Sequence, residues 1–174
     1  MIETDRLLLR PTRLADAEAL FAFLGDREAM RFTHVQPSLR DCRRHIAAYE
    51  KQRARLGCAP WTIFEKAGVE KAGTGVVGWG GLYEDPFDRG WGIEVGYFFA
   101  PSAWGRGYAT ELVLFCLQVA RELGLERLTA FGHPENAGSR RVLEKAGFSV
   151  ERFVPEMQRF LYRCRLAEEK WNSA

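Results

Sequence analysis

Glu94 stands in the stretch Trp91-Gly92-Ile93-Glu94-Val95-Gly96-Tyr97-Phe98-Phe99, where the large residues Trp91, Ile93, Val95, Tyr97 and Phe99 alternate with Gly92, Glu94, Gly96 and Phe98. That is the period of a strand with one packed face and one sparsely filled face. Glycines two residues away on either side leave room for a small ligand against the carboxylate. Burial in such a cleft favours the neutral acid and moves its proton affinity toward neutral pH, which suits a general base. The same residues also describe an ordinary strand glutamate paired with an arginine.

A second group is Trp104-Gly105-Arg106-Gly107-Tyr108-Ala109, which leads into a proline-free, largely apolar run from Gly107 to Leu123. This run predicts a long buried helix. The first N–H groups of a helix have no partner inside it, and the aligned peptide dipoles leave partial positive charge there. Gly105 and Gly107 let a ligand approach the backbone, so a phosphate or pyrophosphate is the natural guest, with Arg106 either adding a charge-assisted contact or lying in solvent. A P-loop fails because Tyr108-Ala109 follow Gly107 where Lys and Ser/Thr are needed. A dinucleotide fingerprint matches poorly: Thr110 occupies the third small position, and the next strand, Arg127 to Phe131, runs into Gly132-His133 rather than an acid. Asn136 and Ser139, at the start of a short helix, form a third group that reads as a cap or as ligand contacts. Cys42 and His45 make a C-x-x-H pair with no second pair to complete four metal ligands, so no metal is expected.

Trp104 to Ala109 resembles the pyrophosphate signature of the GNAT superfamily of acetyl-CoA-dependent N-acetyltransferases, Gln/Arg-x-x-Gly-x-Gly/Ala. Gly107 and Ala109 fill the last two places, and Trp104 stands where Gln or Arg is usual. Trp104 to Glu111 is similar to one branch, the ribosomal-protein N-terminal acetyltransferases of RimJ/RimL type. So are Pro134 to Phe148, its second motif, and Thr4-Asp5-Arg6-Leu7-Leu8-Leu9-Arg10-Pro11, its opening strand. The resemblance implies acetyl-CoA as cofactor, and a splay between the strand Trp91 to Phe99 and the strand Leu125 to Phe131. It further implies that the backbone of Trp104, Gly105, Arg106, Gly107, Tyr108, Ala109 and Thr110 binds the pyrophosphate. The edge of Val95, Tyr97, Phe98 and Phe99 would pair with the pantetheine amides, and Asn136 and Ser139 would face the pantetheine arm.

Acyl transfer to an amine needs a base, an oxyanion donor and a proton for the leaving thiolate. Glu94 is the candidate base or water-orienting group, and a backbone N–H near Phe98 or Phe99 is the family's oxyanion donor. The family's general acid is a tyrosine seven residues after the motif asparagine, where this chain has Leu143; Ser139 is then the nearest hydroxyl. The implied acceptor pocket, between the first two helices and the closing hairpin, offers Phe32, His34, Trp61, Trp79, Tyr83, Trp91 and Phe153, with Glu84, Asp85 or Asp88 nearby. Such walls suit a peptide N-terminus, a polyamine or an aminoglycoside through cation–π contact, and the same aromatics suit a core. A small-amine or antibiotic acetyltransferase and a non-catalytic acyl-CoA sensor remain as alternatives.

Positioning these groups requires a mixed α/β sheet, mostly antiparallel, with one strand-helix-strand crossover. Leu7 to Leu9 predict a first strand stopped by Pro11. Asp16 or Thr12 caps a helix that carries Ala17, Leu20, Phe21 and Leu24 inward and ends at Gly25. Ser38-x-x-Asp41 opens a helix to Leu56 with Gly57 as its stop. Its basic residues, Arg40, Arg43, Arg44, Lys51, Arg53 and Arg55, read as a solvated face rather than an RNA surface. Strands are expected at Trp61 to Glu65, Val76 to Tyr83, Ser149 to Val154 and Met157 to Leu166, with a hairpin loop at Gly68 to Gly75 and a turn at Glu84 to Gly90.

The 174 residues predict one domain. A 47% hydrophobic content argues against disorder, and a net charge of +2 is too mild to require nucleic acid or an anionic membrane as partner. The charged opening residues and scattered Cys42, Cys58, Cys116 and Cys164 fit a cytoplasmic chain with free thiols. An amine acceptor is the expected partner, and a homodimer is left open.

Overall fold

The computed structural model describes residues 1–69, 75–88 and 90–166. It contains one eight-stranded sheet of order β1-β2-β3-β4-β5-β6-β8-β7. The strands are β1 (Ile2–Glu3), β2 (Leu7–Pro11), β3 (Trp61–Glu65), β4 (Val76–Tyr83), β5 (Glu94–Phe99), β6 (Arg127–Gly132), β7 (Ser149–Val154) and β8 (Arg159–Arg165). The helices are α1 (Ala17–Leu24), α2 (Leu39–Leu56), the single turn α3 (Lys66–Val69), α4 (Tyr108–Glu122) and α5 (Ala137–Lys145). Every neighbouring pair of strands is antiparallel except β5 and β6, which α4 joins as a crossover. This is the expected mixed α/β fold.

Alternation along the central strands sends side chains to two cores. Leu82, Val95 and Phe99 pack with Leu112, Val113 and Cys116 of α4 on one face. Trp79 and Tyr83 pack with Leu20 and Phe23 of α1 and Ile46 and Tyr49 of α2 on the other. The caps explain the bounds of α2: Ser38 Oγ accepts from the Asp41 N–H at 3.1 Å, and Gly57 closes the helix at φ 73°. Of the basic residues on α2, Arg43 pairs with Glu18, Arg44 with Asp41, Arg53 with Glu50 and Arg55 with Glu84. Those charges are used within the chain.

Several bounds differ from the sequence reading. β5 begins at Glu94 rather than Trp91, because Gly92 adopts φ 78° and breaks the strand. In α1 the buried set is Ala17, Leu20, Phe23 and Leu24, with Phe21 only half-buried. α4 is less enclosed than its composition implies: Leu114 is 50% exposed on the outer face. A helical turn, Lys66–Val69, follows β3 where the hairpin loop was expected to start, and residues 70–74 of that loop lie outside the described residues, as does Arg89 of the following turn. β8 begins at Arg159, since Pro155–Met157 form a 3-10 turn that ends on Gln158 at φ 53°.

Candidate active site

β5 and β6 meet at a single pairing, Glu94 with Thr129. The Thr129 N–H donates to the Ile93 carbonyl at 3.0 Å, and its hydroxyl to the Trp91 carbonyl at 2.8 Å. Beyond that point the two strands part, as the resemblance implied. The Ala100 N–H donates to Val77 on β4, so alternation turns the N–H and C=O of Val95, Tyr97 and Phe99 toward the gap and those of Gly96 and Phe98 into the β4 ladder. Of the two residues expected to give an oxyanion donor, Phe99 faces the gap and Phe98 does not. The Phe99 carbonyl is taken by the Trp104 indole N–H at 2.9 Å.

A cleft of about 650 Å³ opens on this gap. Its floor is the loop before α4. Gly105 and Gly107 lie at φ 71° and 79°, a backbone shape that side chains resist. Gly107 is the N-cap of α4 and no side chain caps the helix, and among the described residues nothing accepts a hydrogen bond from the N–H groups of residues 105–110. Six unpartnered amides at the start of a fifteen-residue helix form an anion cradle. The loop is braced from behind. Tyr108 donates its hydroxyl to Glu65 at 2.6 Å, and the guanidinium groups of Arg6 and Arg106 lie over its ring, at 5.0 and 4.8 Å from its centroid.

Arg106 does not reach the cleft with its side chain. Its guanidinium is held by Glu65, with Nη1 to Oε2 at 2.8 Å, so it is neither turned into the cleft nor left unpaired in solvent. Val95 likewise offers only backbone, since its side chain is buried in the core. The cationic side chains that do line the cleft are Arg31, Arg141 and Lys145, against the carboxylate of Glu135. None of these three was singled out from sequence. For Arg141 and Lys145 the available signal was their i, i+4 spacing on the exposed face of α5.

Asn136 and Ser139 line the same cleft. Asn136 Oδ1 accepts from the Ser139 N–H at 3.0 Å, so the expected cap is formed as well. Ser139 Oγ is 2.9 Å from Tyr97 Oη, and the Tyr97 hydroxyl also approaches the Ser139 carbonyl at 3.2 Å. Burial drives the Tyr97 phenol well above its ordinary range, against the opposing hydrogen bond from Ser139, and keeps it protonated. Leu143, at the family's tyrosine position, is 1% exposed within the core. A tyrosine hydroxyl is therefore present near the motif serine, but it comes from β5 and not from α5.

On the other face of the sheet lies a cavity of about 390 Å³. Five of the seven expected pocket residues, Phe32, His34, Trp79, Tyr83 and Trp91, line it, as do Asp85 and Asp88. Trp79 and Tyr83 serve the core too, each making an edge contact with the Tyr49 ring at 5.2 Å. Trp61 and Phe153 are not part of it: Trp61 is buried against Phe115, and Phe153 pairs with Phe160 on the β7–β8 hairpin. Glu84 is paired with Arg55 at 2.7 Å. The C-x-x-H pair divides, with Cys42 Sγ turned to the Ala17 carbonyl in the second core and the His45 ring lining the cavity.

Glu94 lies in this cavity at 7% exposure. Its pKa is raised to about 8, chiefly by burial and then by the carboxylates of Asp85 and Asp88, with Arg159 opposing them. No arginine pairs with it among the described residues, so the structural alternative read from sequence is not what the fold builds. The two cavities share Phe32, Tyr97, Phe98, Asn136 and Ser139. An anion cradle with a long groove therefore opens onto an aromatic, acid-lined chamber that contains a carboxylate poised near neutral pH.

Comparison with known proteins agrees with this geometry. The acetyltransferase (GNAT) domain family matches residues 6–149. A curated relative, the uncharacterized N-acetyltransferase YoaA of Bacillus subtilis, is 29% identical over 158 residues, spanning 87% of this chain and 84% of its own length. The fold is also that of yncA from Salmonella typhimurium, a putative acetyltransferase solved with its cofactor acetyl-CoA. It has 19% identity and a TM-score of 0.71, and the alignment covers 95% of this chain and 97% of that one. Ribosomal-protein-S5-alanine acetyltransferase from Vibrio fischeri aligns over 96% of this chain and 97% of its own, with 14% identity and a TM-score of 0.73. With most of its length matched by the family, this chain belongs to the GNAT acetyltransferases.

Proposed function

We propose that the chain acetylates a primary amine, with acetyl-CoA held in the cleft before α4 and the amine in the cavity beside Glu94, both bound at once. The observation that carries this reading is the meeting of the two cavities at Tyr97, Phe98 and Ser139. The residues present fit the cofactor: six free amides at residues 105–110 suit a pyrophosphate, Arg31, Arg141 and Lys145 suit its further phosphate charge, and the bare edge of Tyr97 and Phe99 suits an amide-bearing arm. Acetyl-CoA bound there supplies a thioester carbonyl open to attack by an amine.

The chain's own residues supply the rest. The Glu94 carboxylate, ionised in part near neutral pH, takes a proton from the acceptor ammonium. The Phe99 N–H faces the gap as a hydrogen-bond donor for developing negative charge. At the cleft side Ser139 Oγ, hydrogen-bonded to Tyr97 Oη, holds a proton where the chamber and the groove join. The loop with Phe32 reaches this junction, where the Phe32 ring stacks on His133 at 5.2 Å between centroids.

A protein N-terminus as acceptor, in the manner of the RimJ/RimL branch, is the second reading. It is favoured by the three motifs Thr4 to Pro11, Trp104 to Glu111 and Pro134 to Phe148 and by the Vibrio fischeri neighbour. The test is thiol release from acetyl-CoA with a panel of small amines and peptides bearing free N-termini. Release with an amine supports transfer. Tight cofactor binding with no release above hydrolysis, across the panel, would instead make the chain a sensor.

A further inference from the structure

The chamber beside Glu94 holds more negative charge than the chain neutralises. The carboxylates of Asp85, Asp88 and Glu94 line it, against the guanidinium of Arg159. Arg152 lies over the Trp91 ring at 5.6 Å but does not line the chamber. Burial, with His34 and Arg44, holds the His45 pKa below the usual imidazole value against Asp85 and Asp41, so that ring adds no charge at neutral pH. Nearby acids are paired: Glu84 with Arg55 at 2.7 Å and Glu151 with Arg163 at 2.9 Å. Among the described residues Asp85 and Asp88 have no ion-pair partner. Glu94, at 7% exposure, makes neither a hydrogen bond nor an ion pair among them. Its oxygens are not among the sealed side-chain atoms without a partner, which belong to Gln36 and Gln52.

The two aspartates are held in place and stand nearer to solvent than Glu94. Asp85 Oδ1 accepts the N–H groups of Phe87 at 2.7 Å and Asp88 at 3.2 Å, and Asp88 Oδ2 accepts the Trp91 indole N–H at 3.2 Å. Each carboxylate keeps a second oxygen without a partner among the described residues. Asp85 is half-buried and Asp88 exposed, and between them Phe87 lines the chamber with a ring that is 55% exposed. Both acids push against Glu94, a repulsion that the chain does not relieve and a bound cation does.

We propose that the acceptor is a small organic dication: one nitrogen is delivered to Glu94 for acetylation, and a second, as an ammonium, is held at the mouth by Asp85 and Asp88 beside the Phe87 ring. This rests on the reading of the chamber as the acceptor site. The ammonium beside Glu94 yields two protons as it becomes the amide, one to the carboxylate and one to the leaving thiolate, while the distal ammonium keeps its charge. Asp85 and Asp88 therefore set specificity by holding the end of the substrate that does not react, through charge-assisted hydrogen bonds and an aromatic face. A monoamine enters the same walls and leaves the two open oxygens to water. An amine with a carboxylate at its far end meets repulsion there.

Three probes of similar length differ at the far end: 1,5-diaminopentane ends in an ammonium, hexylamine in a methyl group and 5-aminopentanoate in a carboxylate. With acetyl-CoA at about pH 8, where an ordinary imidazole is neutral, kcat/KM for the diamine exceeds that for hexylamine by roughly tenfold or more, beyond the factor of about two that its equivalent ends supply. 5-Aminopentanoate falls below both, and the advantage of the diamine shrinks as salt is raised. Combining Asp85→Asn with Asp88→Asn keeps oxygens to accept the Phe87, Asp88 and Trp91 N–H groups, removes both charges, and brings the diamine-to-hexylamine ratio down to about two. Both probes present their reacting nitrogen to Glu94, so any change there cancels in the ratio. Calorimetric binding of coenzyme A confirms that the double variant is folded. A ratio near two on the wild type, or a larger one that the double variant keeps, overturns the inference and leaves the acetyltransferase reading intact. Preference for 5-aminopentanoate overturns it as well and makes Arg159 the anchor. Should no probe release thiol, the ratio of diamine to hexylamine dissociation constants for the wild type and the double variant decides the role of the aspartates by the same criterion, and the failed turnover counts separately against the proposed function.

Discussion

Arg6 Nε lies 2.8 Å from Glu111 Oε2, so the strand that opens the chain grips the first turn of the helix that carries the anion cradle. The Arg6 N–H donates to the same carboxylate at 2.8 Å, and Arg6 Nη1 to the Arg106 carbonyl at 2.7 Å. Thr4 adds its hydroxyl. Two motifs a hundred residues apart are thus one structural unit.

Removing Glu111 strands several donors at once, whereas Arg6 is half-exposed and its pairing is partly screened. Glu111→Ala is expected to destabilise by about 1–3 kcal/mol, more than Arg6→Ala, and to raise KM for acetyl-CoA roughly tenfold as the cradle loosens. Burial works to raise the Glu111 pKa, but hydrogen bonds from Thr4 and Arg6 outweigh it and leave it lowered. A lowered carboxylate contributes stability above its unfolded pKa and loses it as pH falls, so the gap between wild type and Glu111→Ala should narrow in acid. Thermal melts across pH check both statements.

Gly107→Asp introduces a side chain at φ 79° and a negative charge at the cradle. The expected outcome is a folded protein that no longer binds coenzyme A, read by calorimetry beside far-UV circular dichroism. Retained affinity would remove the loop from the cofactor site.

Glu94→Gln keeps the shape and removes the proposed base. It should lower kcat by roughly 10²–10⁴, and the rise of the wild-type rate through a pKa of about 8 should disappear. Stability moves the other way. The folded-state pKa is raised, so the neutral acid is favoured in the fold, and stability falls as pH climbs from the unfolded value toward about 8. Glu94→Gln therefore melts higher than wild type at mildly alkaline pH, and the difference closes on acidification.

Tyr97→Phe deletes one hydroxyl and keeps the ring. Its expected effect is a loss of about tenfold or more in kcat with KM for acetyl-CoA little changed. Restoring the family residue by Leu143→Tyr puts a larger side chain at a position packed in the core where it lines the cavity, and overpacking it should cost about 1–3 kcal/mol. A Leu143→Tyr enzyme that melts normally and turns over faster would contradict this placement of the hydroxyl.

What could be read from sequence was what is local along the chain. The caps Ser38, Gly57 and Asn136 and the glycines before α4 depend on neighbours within a few residues, and each sits where its spacing implied, whereas the alternation around Glu94 holds from Glu94 to Phe99 and is broken before it by Gly92. What escaped depends on partners far away in sequence. Arg106 turns from the cleft because Glu65, on β3, is behind it. Tyr97 was read as an edge residue, and its approach to Ser139 follows only once α5 has folded over β5. Trp61 and Phe153 failed as pocket residues for the same reason: aromatic identity does not say which side of the sheet a ring will occupy.

The seam between β5 and β6 is one rung wide, and past it the main chain of β5 is bare on one side. An arm that lies along that bare side would be read by peptide groups, which are common to every amino acid. Mutation can therefore rewrite the outward side chains of this strand without touching the grip on such an arm. Acceptor preference is free to diverge on the opposite face of the sheet while the donor stays the same, and a single fold can supply many amines from one acyl carrier.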